Sequence, residues 1–71
     1  MLTEKWIYQY VSDIENGKYD TNEDLSQEQL KVKIKTIRKI LRRIEEDFPM
    51  ISQWHFEIIR DFADHTETFL D

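Results

Sequence analysis

SQEQLKVKIKTIRKILRRIEEDFP, residues 26–49, is the stretch whose reading decides the fold. Ser26 stands three residues before Gln29, the spacing at which a hydroxyl caps a helix start and a glutamine side chain reaches back to the cap. Leu25 and Leu30 occupy the two positions of a hydrophobic staple around that start. Leu30, Ile34, Ile37, Leu41, Ile44 and Phe48 then follow in steps of four and three, the period of one helical face. Phe48-Pro49 ends the run, because proline has no N–H to donate and drives the residue before it towards extended geometry. These signals predict a helix over 27–47. The alternation Lys31-Val32-Lys33-Ile34-Lys35 is strand-like, but it lies inside the longer helical period and is overridden by it. The repeat covers fewer heptads than a free-standing coiled coil needs, so packing inside a bundle is expected.

Two further helices are predicted on either side. Before it, Trp6, Ile7, Tyr10, Val11 and Ile14 fall on one face, which predicts a helix over 4–15 with Thr3 as its N-cap. Asn16-Gly17 is a left-handed helix stop. Residues 18–24 are polar and aperiodic and read as a loop. After Pro49 a third helix is expected over 50–68, starting at the proline itself or at Ser52. The acidic run Glu45-Glu46-Asp47 suits the start of that third helix better than the end of the second. The expected fold is all-α, a compact three-helix bundle forming a single domain over 1–71.

Size and composition limit what such a domain can be. A chain of 71 residues buries only about 60% of its unfolded surface, which leaves a thin stability margin. Oligomerisation, as a homodimer, or a partner is the expected supplement. There is no cysteine, which excludes disulfides and thiolate metal sites and favours a reducing compartment, so a cytoplasmic location is expected. Met1-Leu2-Thr3-Glu4-Lys5 carries no apolar run of the kind that opens a signal peptide, and no stretch is apolar enough to span a bilayer. The Lys/Ile-rich, Ala- and Gly-poor composition is of the kind found in AT-rich bacteria and their phages.

Charge is distributed unevenly. The chain carries ten bases and fifteen acids, a net charge of −5. Seven of the bases (Lys31, Lys33, Lys35, Arg38, Lys39, Arg42 and Arg43) fall between residues 31 and 43, where there is no acid. The rest of the chain therefore holds three bases against fifteen acids, a balance of −12. On a helical wheel Lys31, Lys35, Arg38, Lys39 and Arg42 gather nearly opposite the apolar arc of helix two. Such a face meets an acidic protein partner, neutralises phosphates on nucleic acid, or simply sits in solvent opposite the acidic helices of its own molecule. Of the two partner readings, protein comes before nucleic acid. The −12 elsewhere repels a polyanion, and no helix-turn-helix or Gly-rich signature is present.

Helix three carries a second feature. Ile51, Trp54, Ile58, Phe62 and Phe69 form one stripe and Phe56, Ile59, Ala63 and Leu70 an adjoining one, together wider than a surface helix usually buries. Either this helix is central and touches both others, or Phe56, Ile59 and Leu70 form an anchor patch for a partner. Tyr8 and Tyr19 lie outside the core stripes and are expected at the surface.

Catalysis is not expected. His55 and His65 are ten residues apart and point in different directions, Asp61 adds only a two-ligand fragment to His65, and the H-E-x-x-H arrangement is absent. Both histidines read as satisfied residues at the edge of the core, and no metal or cofactor is expected. Acidic pairs such as Glu57/Asp61 lie on solvated positions, and a bundle this small leaves little room for a concave active site.

Two strings, Ile7-Tyr8-Gln9-Tyr10-Val11 and Phe48-Pro49 followed by Ser52 and Phe56-Glu57-Ile58, resemble the small bacterial YozE-like family. That resemblance implies an alternative fold, a SAM-like bundle of four to five shorter helices, and it implies no established activity. The stretch between the two strings is longer here than in that family. From the residues themselves the expected function is a non-catalytic protein-binding module, acting as a regulator, inhibitor or accessory subunit. Its expected partner-binding residues are Lys31, Lys35, Arg38, Lys39, Arg42, Phe56, Ile59 and Leu70. Nucleic-acid binding through the basic stripe 31–43 is the alternative, and neither a membrane nor a small-molecule substrate is expected.

Overall fold

A computed structural model describes residues 3–71, so Met1 and Leu2, on which the signal-peptide reading partly rests, lie outside the described residues. Three α-helices run in chain order, α1 (Lys5–Glu15), α2 (Gln27–Asp47) and α3 (Gln53–Glu67), with a short 3₁₀ turn at Asn22–Asp24 and no strand among the described residues. The architecture is the all-α three-helix bundle, not the four to five shorter helices of a SAM-like domain.

The ends of α2 follow the local rules read above. Ser26 Oγ accepts from the Gln29 amide at 3.2 Å while Gln29 Oε1 accepts from the Ser26 amide at 2.9 Å, a complete capping box. Phe48 closes the helix in a non-helical conformation, and its ring, only 8% exposed, turns back into the core edge-on to Trp6. The stop after α1 is a full Schellman turn. Gly17 has φ +78°, its amide donates to the Ile14 carbonyl, and the Lys18 amide reaches the Asp13 carbonyl.

Other boundaries differ from expectation. The cap position of α1 is Glu4, whose carbonyl takes the Ile7 amide, rather than Thr3. The Glu4 side chain does not cap; it accepts from the Tyr8 hydroxyl at 2.8 Å. Helix α3 starts at Gln53, with Ser52 Oγ accepting from the Trp54 amide, and it ends at Glu67. Of the two expected starts the structure adopts Ser52, with Pro49 and Met50 in the turn, and Thr68 is the C-cap, so the extent 50–68 is long by three residues at its start and one at its end.

α3 is the central helix, packed against both α2 and α1. Its innermost residues are Ile59, Ala63 and Thr66, each with no exposed surface and spaced four and three apart. Ile59 and Ala63 meet Ile37, Leu41 and Ile44 of α2 and Ile7 and Val11 of α1 in one cluster. The expected first stripe of α3 is therefore not the middle of the core. Trp54 is 53% exposed, and Phe62 lies to the side, against Tyr19. Thr66, absent from both stripes, is tolerated because its hydroxyl donates to the Phe62 carbonyl one turn back at 2.8 Å.

The connection 18–24 is more than a solvated loop. Asn22 is buried, and Lys33 of α2 reaches into the segment, its Nζ 2.7 Å from the Tyr19 carbonyl and 2.5 Å from Asn22 Oδ1. The same ammonium lies 4.9 Å from the centre of the Phe62 ring. One lysine thus ties the loop, α2 and α3 together. Desolvation lowers the Lys33 pKa, opposed by the field of Asp20. Tyr19, expected outside the core, is half-buried against Tyr10 and Phe62.

Replacing Lys33 by Met is expected to cost about 1–3 kcal/mol in denaturant unfolding, because it orphans the Tyr19 carbonyl and Asn22 Oδ1. A stability within a few tenths of a kcal/mol of the parent would contradict that role. Burial, with the neighbouring Tyr19 second, pushes the Tyr10 pKa up to about 12. In the unfolded chain a tyrosine ionises near pH 10, so the contribution of Tyr10 is intact below that value and is lost as pH rises towards 12. Ultraviolet titration should find one tyrosine ionising together with unfolding. Ionisation of all three tyrosines near pH 10, with the helices intact, would refute this.

Candidate functional site

The groove between α2 and α3 is where the basic face and the apolar surface meet. Its larger half, about 580 Å³, is walled by Lys31, Lys35, Arg38 and Arg42 of α2, with Ile34 in the floor and Leu70 across from it. A second depression of about 360 Å³ continues from Arg38 and Arg42 to Leu41, Phe56 and Arg60. The two depressions share Arg38 and Arg42 and form one trough along the α2–α3 seam, crossed by Arg38 where it reaches Asp64 and Glu67.

Local structure explains how each wall is placed. Lys31, Lys35, Arg38 and Arg42 follow in steps of four, three and four, so they form one column beside the column that holds Ile34 and Leu41. They border the apolar arc rather than standing opposite it, which corrects the helical-wheel expectation. Leu70 comes from the segment after α3, where successive turns join Thr68 to His65, Phe69 to Thr66 and Leu70 to Glu67. That segment is clasped to the first turn of α2 by Gln27. Its Nε2 donates to the Phe69 carbonyl at 3.1 Å and its Oε1 accepts from the Asp71 amide at 3.0 Å.

Of the eight expected partner-binding residues, seven line this trough: Lys31, Lys35, Arg38, Lys39 and Arg42 from α2, with Phe56 and Leu70 opposite. Ile59 does not. It has no exposed surface, so it belongs to the core and leaves the site set. Arg60 also lines the trough, although nothing in its sequence context singles it out. It stands alone among acids, and only the pairing of α3 with α2 brings it beside Arg38 and Arg42.

Electrostatics divide the bases into two kinds. Arg38 is engaged within the molecule by Asp64, at 3.4 Å, and by Glu67, whose hydrogen bond is the main reason its pKa is raised. Arg43 pairs with Asp47 at 3.5 Å and Arg60 with Glu57 at 3.9 Å. No ion pair joins Lys31, Lys35, Lys39 or Arg42 to any acid among the described residues. The intramolecular-neutralisation reading therefore holds for Arg38 and Arg43 and leaves four cations along the groove unmatched.

The histidines form no site with each other. His55 lies between Tyr8 and Trp54, with ring centroids 4.8 and 4.7 Å away, and its buried Nδ1 has no hydrogen-bond partner, so it is not the satisfied residue expected. His65 is exposed against the Phe69 ring. Among the described residues no three His, Asp or Glu side chains are grouped to hold a metal ion. Among the described residues no helix is long and apolar enough to cross a membrane.

No protein-family model matches the chain, and neither a curated protein nor a solved structure is significantly similar to it. The strings resembling the YozE-like family therefore carry no family assignment.

Gln27→Ala should free the Leu70 end of the trough while sparing the core. Amide hydrogen exchange at residues 69–71 is expected to accelerate markedly, with global stability lowered by about 1 kcal/mol. Unchanged exchange there would mean that Gln27 does not position the wall.

Proposed function

We propose that this chain is a non-catalytic protein-binding module whose α2–α3 trough receives an acidic partner, as a regulator, inhibitor or accessory subunit. The observation that carries this reading is the coincidence of four unmatched cations with apolar groups in one groove. Exposed like charges held side by side in a column repel one another, and an incoming anion relieves that repulsion. The basic column also steers an acidic partner over the Debye length, about 8 Å at physiological salt. Apolar surface at Leu70 and Phe56 supplies the non-directional part of the affinity. The absence of cysteine supports a cytoplasmic setting.

Nucleic acid is the weaker reading. Glu67 and Glu45 also line the trough and would face its phosphates, and the rest of the chain is strongly acidic.

Capture from a lysate of the source cells, read by mass spectrometry, tests the proposal. The parent chain should retain a specific protein that the double variant Lys35→Glu/Arg42→Glu, still helical by circular dichroism, fails to retain. If the same proteins are held by both chains, the groove is not the binding surface. If nuclease treatment abolishes capture, the nucleic-acid reading replaces this one.

A further inference from the structure

Resting on that protein-binding reading, we infer that the occupant of the trough is an acidic amphipathic helix lying along α2, with apolar side chains seven residues apart seated over Ile34 and Leu41. Along the apolar row within α2 the small residual exposure is greatest at these two buried positions; Phe48, at 8%, is the C-cap and lines a separate depression with Pro49 and Ile51. Ile34 is 8% and Leu41 7% exposed, whereas Leu30 and Ile37 are at 2% and Ile44 at 0%. Each lines one half of the trough, Ile34 beside Leu70 and Leu41 beside Phe56. The apolar floor therefore has two seats separated by seven helical residues, about 10.5 Å.

That separation selects the conformation of the guest. Residues i and i+7 of an α-helix are about 10.5 Å apart and project to the same side. In an extended segment the same distance is about three residues, and an odd step turns the second side chain to the opposite face. A strand fills one seat and points away from the other, whereas a helix fills both.

The walls select its charge. Lys31, Lys35 and Arg42 flank the floor on the α2 side without an ion pair, in the position that charged residues take beside the apolar seam of a coiled coil. Arg38 is available too, since exposed pairs such as those with Asp64 and Glu67 are worth about 0–1 kcal/mol and exchange readily for another carboxylate. Across the trough stand Glu67 in the half with Leu70 and Arg60 in the half with Phe56. The matching helix therefore carries Glu or Asp on the flank facing α2 and, on the flank facing α3, a neutral or basic residue opposite Glu67 and a neutral or acidic one opposite Arg60.

The test uses two synthetic peptides of about fifteen residues, roughly four helical turns. They are identical in composition and charge and are followed by fluorescence anisotropy against the full chain. One has leucines on a single face with glutamates along one flank; the other has the leucines redistributed so that no face is apolar. The faced peptide is expected to bind at least about tenfold more tightly, to gain helicity on binding and to lose at least about tenfold with Lys35→Glu/Arg42→Glu. Leu70→Ala, which removes an apolar wall, should weaken the faced peptide and leave the redistributed one unchanged. Equal binding of the two peptides, or binding of neither, overturns the helical occupant. If lysate capture still depends on Lys35 and Arg42 in that case, the protein-binding reading survives alone. A duplex DNA probe that binds where the faced peptide does not would overturn both.

Discussion

Ile59, Ala63 and Thr66 have no surface left to solvent, and the bundle is arranged around the line they make along α3. The other two α-helices pack on Ile59 and Ala63 of that line: α2 through Ile37, Leu41 and Ile44, and α1 through Ile7 and Val11. Burial of apolar surface is the dominant favourable term in folding, and a chain this short has little of it to spare. The alanine and the threonine are what allow a central helix in so small a core. Side chains of that size leave room for larger residues from two directions, and the hydroxyl of Thr66 is satisfied by its own helix.

The trough follows from that arrangement. With α3 in the middle, its second flank and the near flank of α2 form a seam on the side away from α1. Of the buried apolar residues within α2, the two with the most residual surface, Ile34 and Leu41, face that seam. Leu70 is added to it by Gln27, which reaches from the first turn of α2 to the backbone of Phe69 and Asp71. On the other flank of α2, Lys33 does the opposite work, turning inward to the Tyr19 carbonyl and Asn22. The seven bases between residues 31 and 43 are thus not one face: one is a structural strut, two are matched by acids of their own molecule, and four remain along the groove.

The bases of the column differ in their surroundings. Arg38 is held by Asp64 and Glu67, whereas no ion pair among the described residues engages Lys35 or Arg42. Long lysine and arginine stems also shield the apolar floor while their heads stay in solvent.

Local signals alone determined much of this protein. The capping box at Ser26–Gln29, the Gly17 stop and the Phe48-Pro49 break act over a few residues, so the extent of α2 and the end of α1 were legible at once. The periodicity of apolar residues likewise determined that the chain is a helical bundle, and the composition located its basic window. Tertiary structure decided which stripe of α3 is innermost, because Ile59 and Trp54 are equally apolar in sequence and only the crossing of the helices separates a buried face from an exposed one. It also decided that Lys33 points inward and that Arg60 joins the bases of α2, since both depend on groups far away along the chain. Hydrogen bonds and turns within a few residues leave a trace in the local sequence; contacts between helices depend on rotation and offset, which no local pattern encodes.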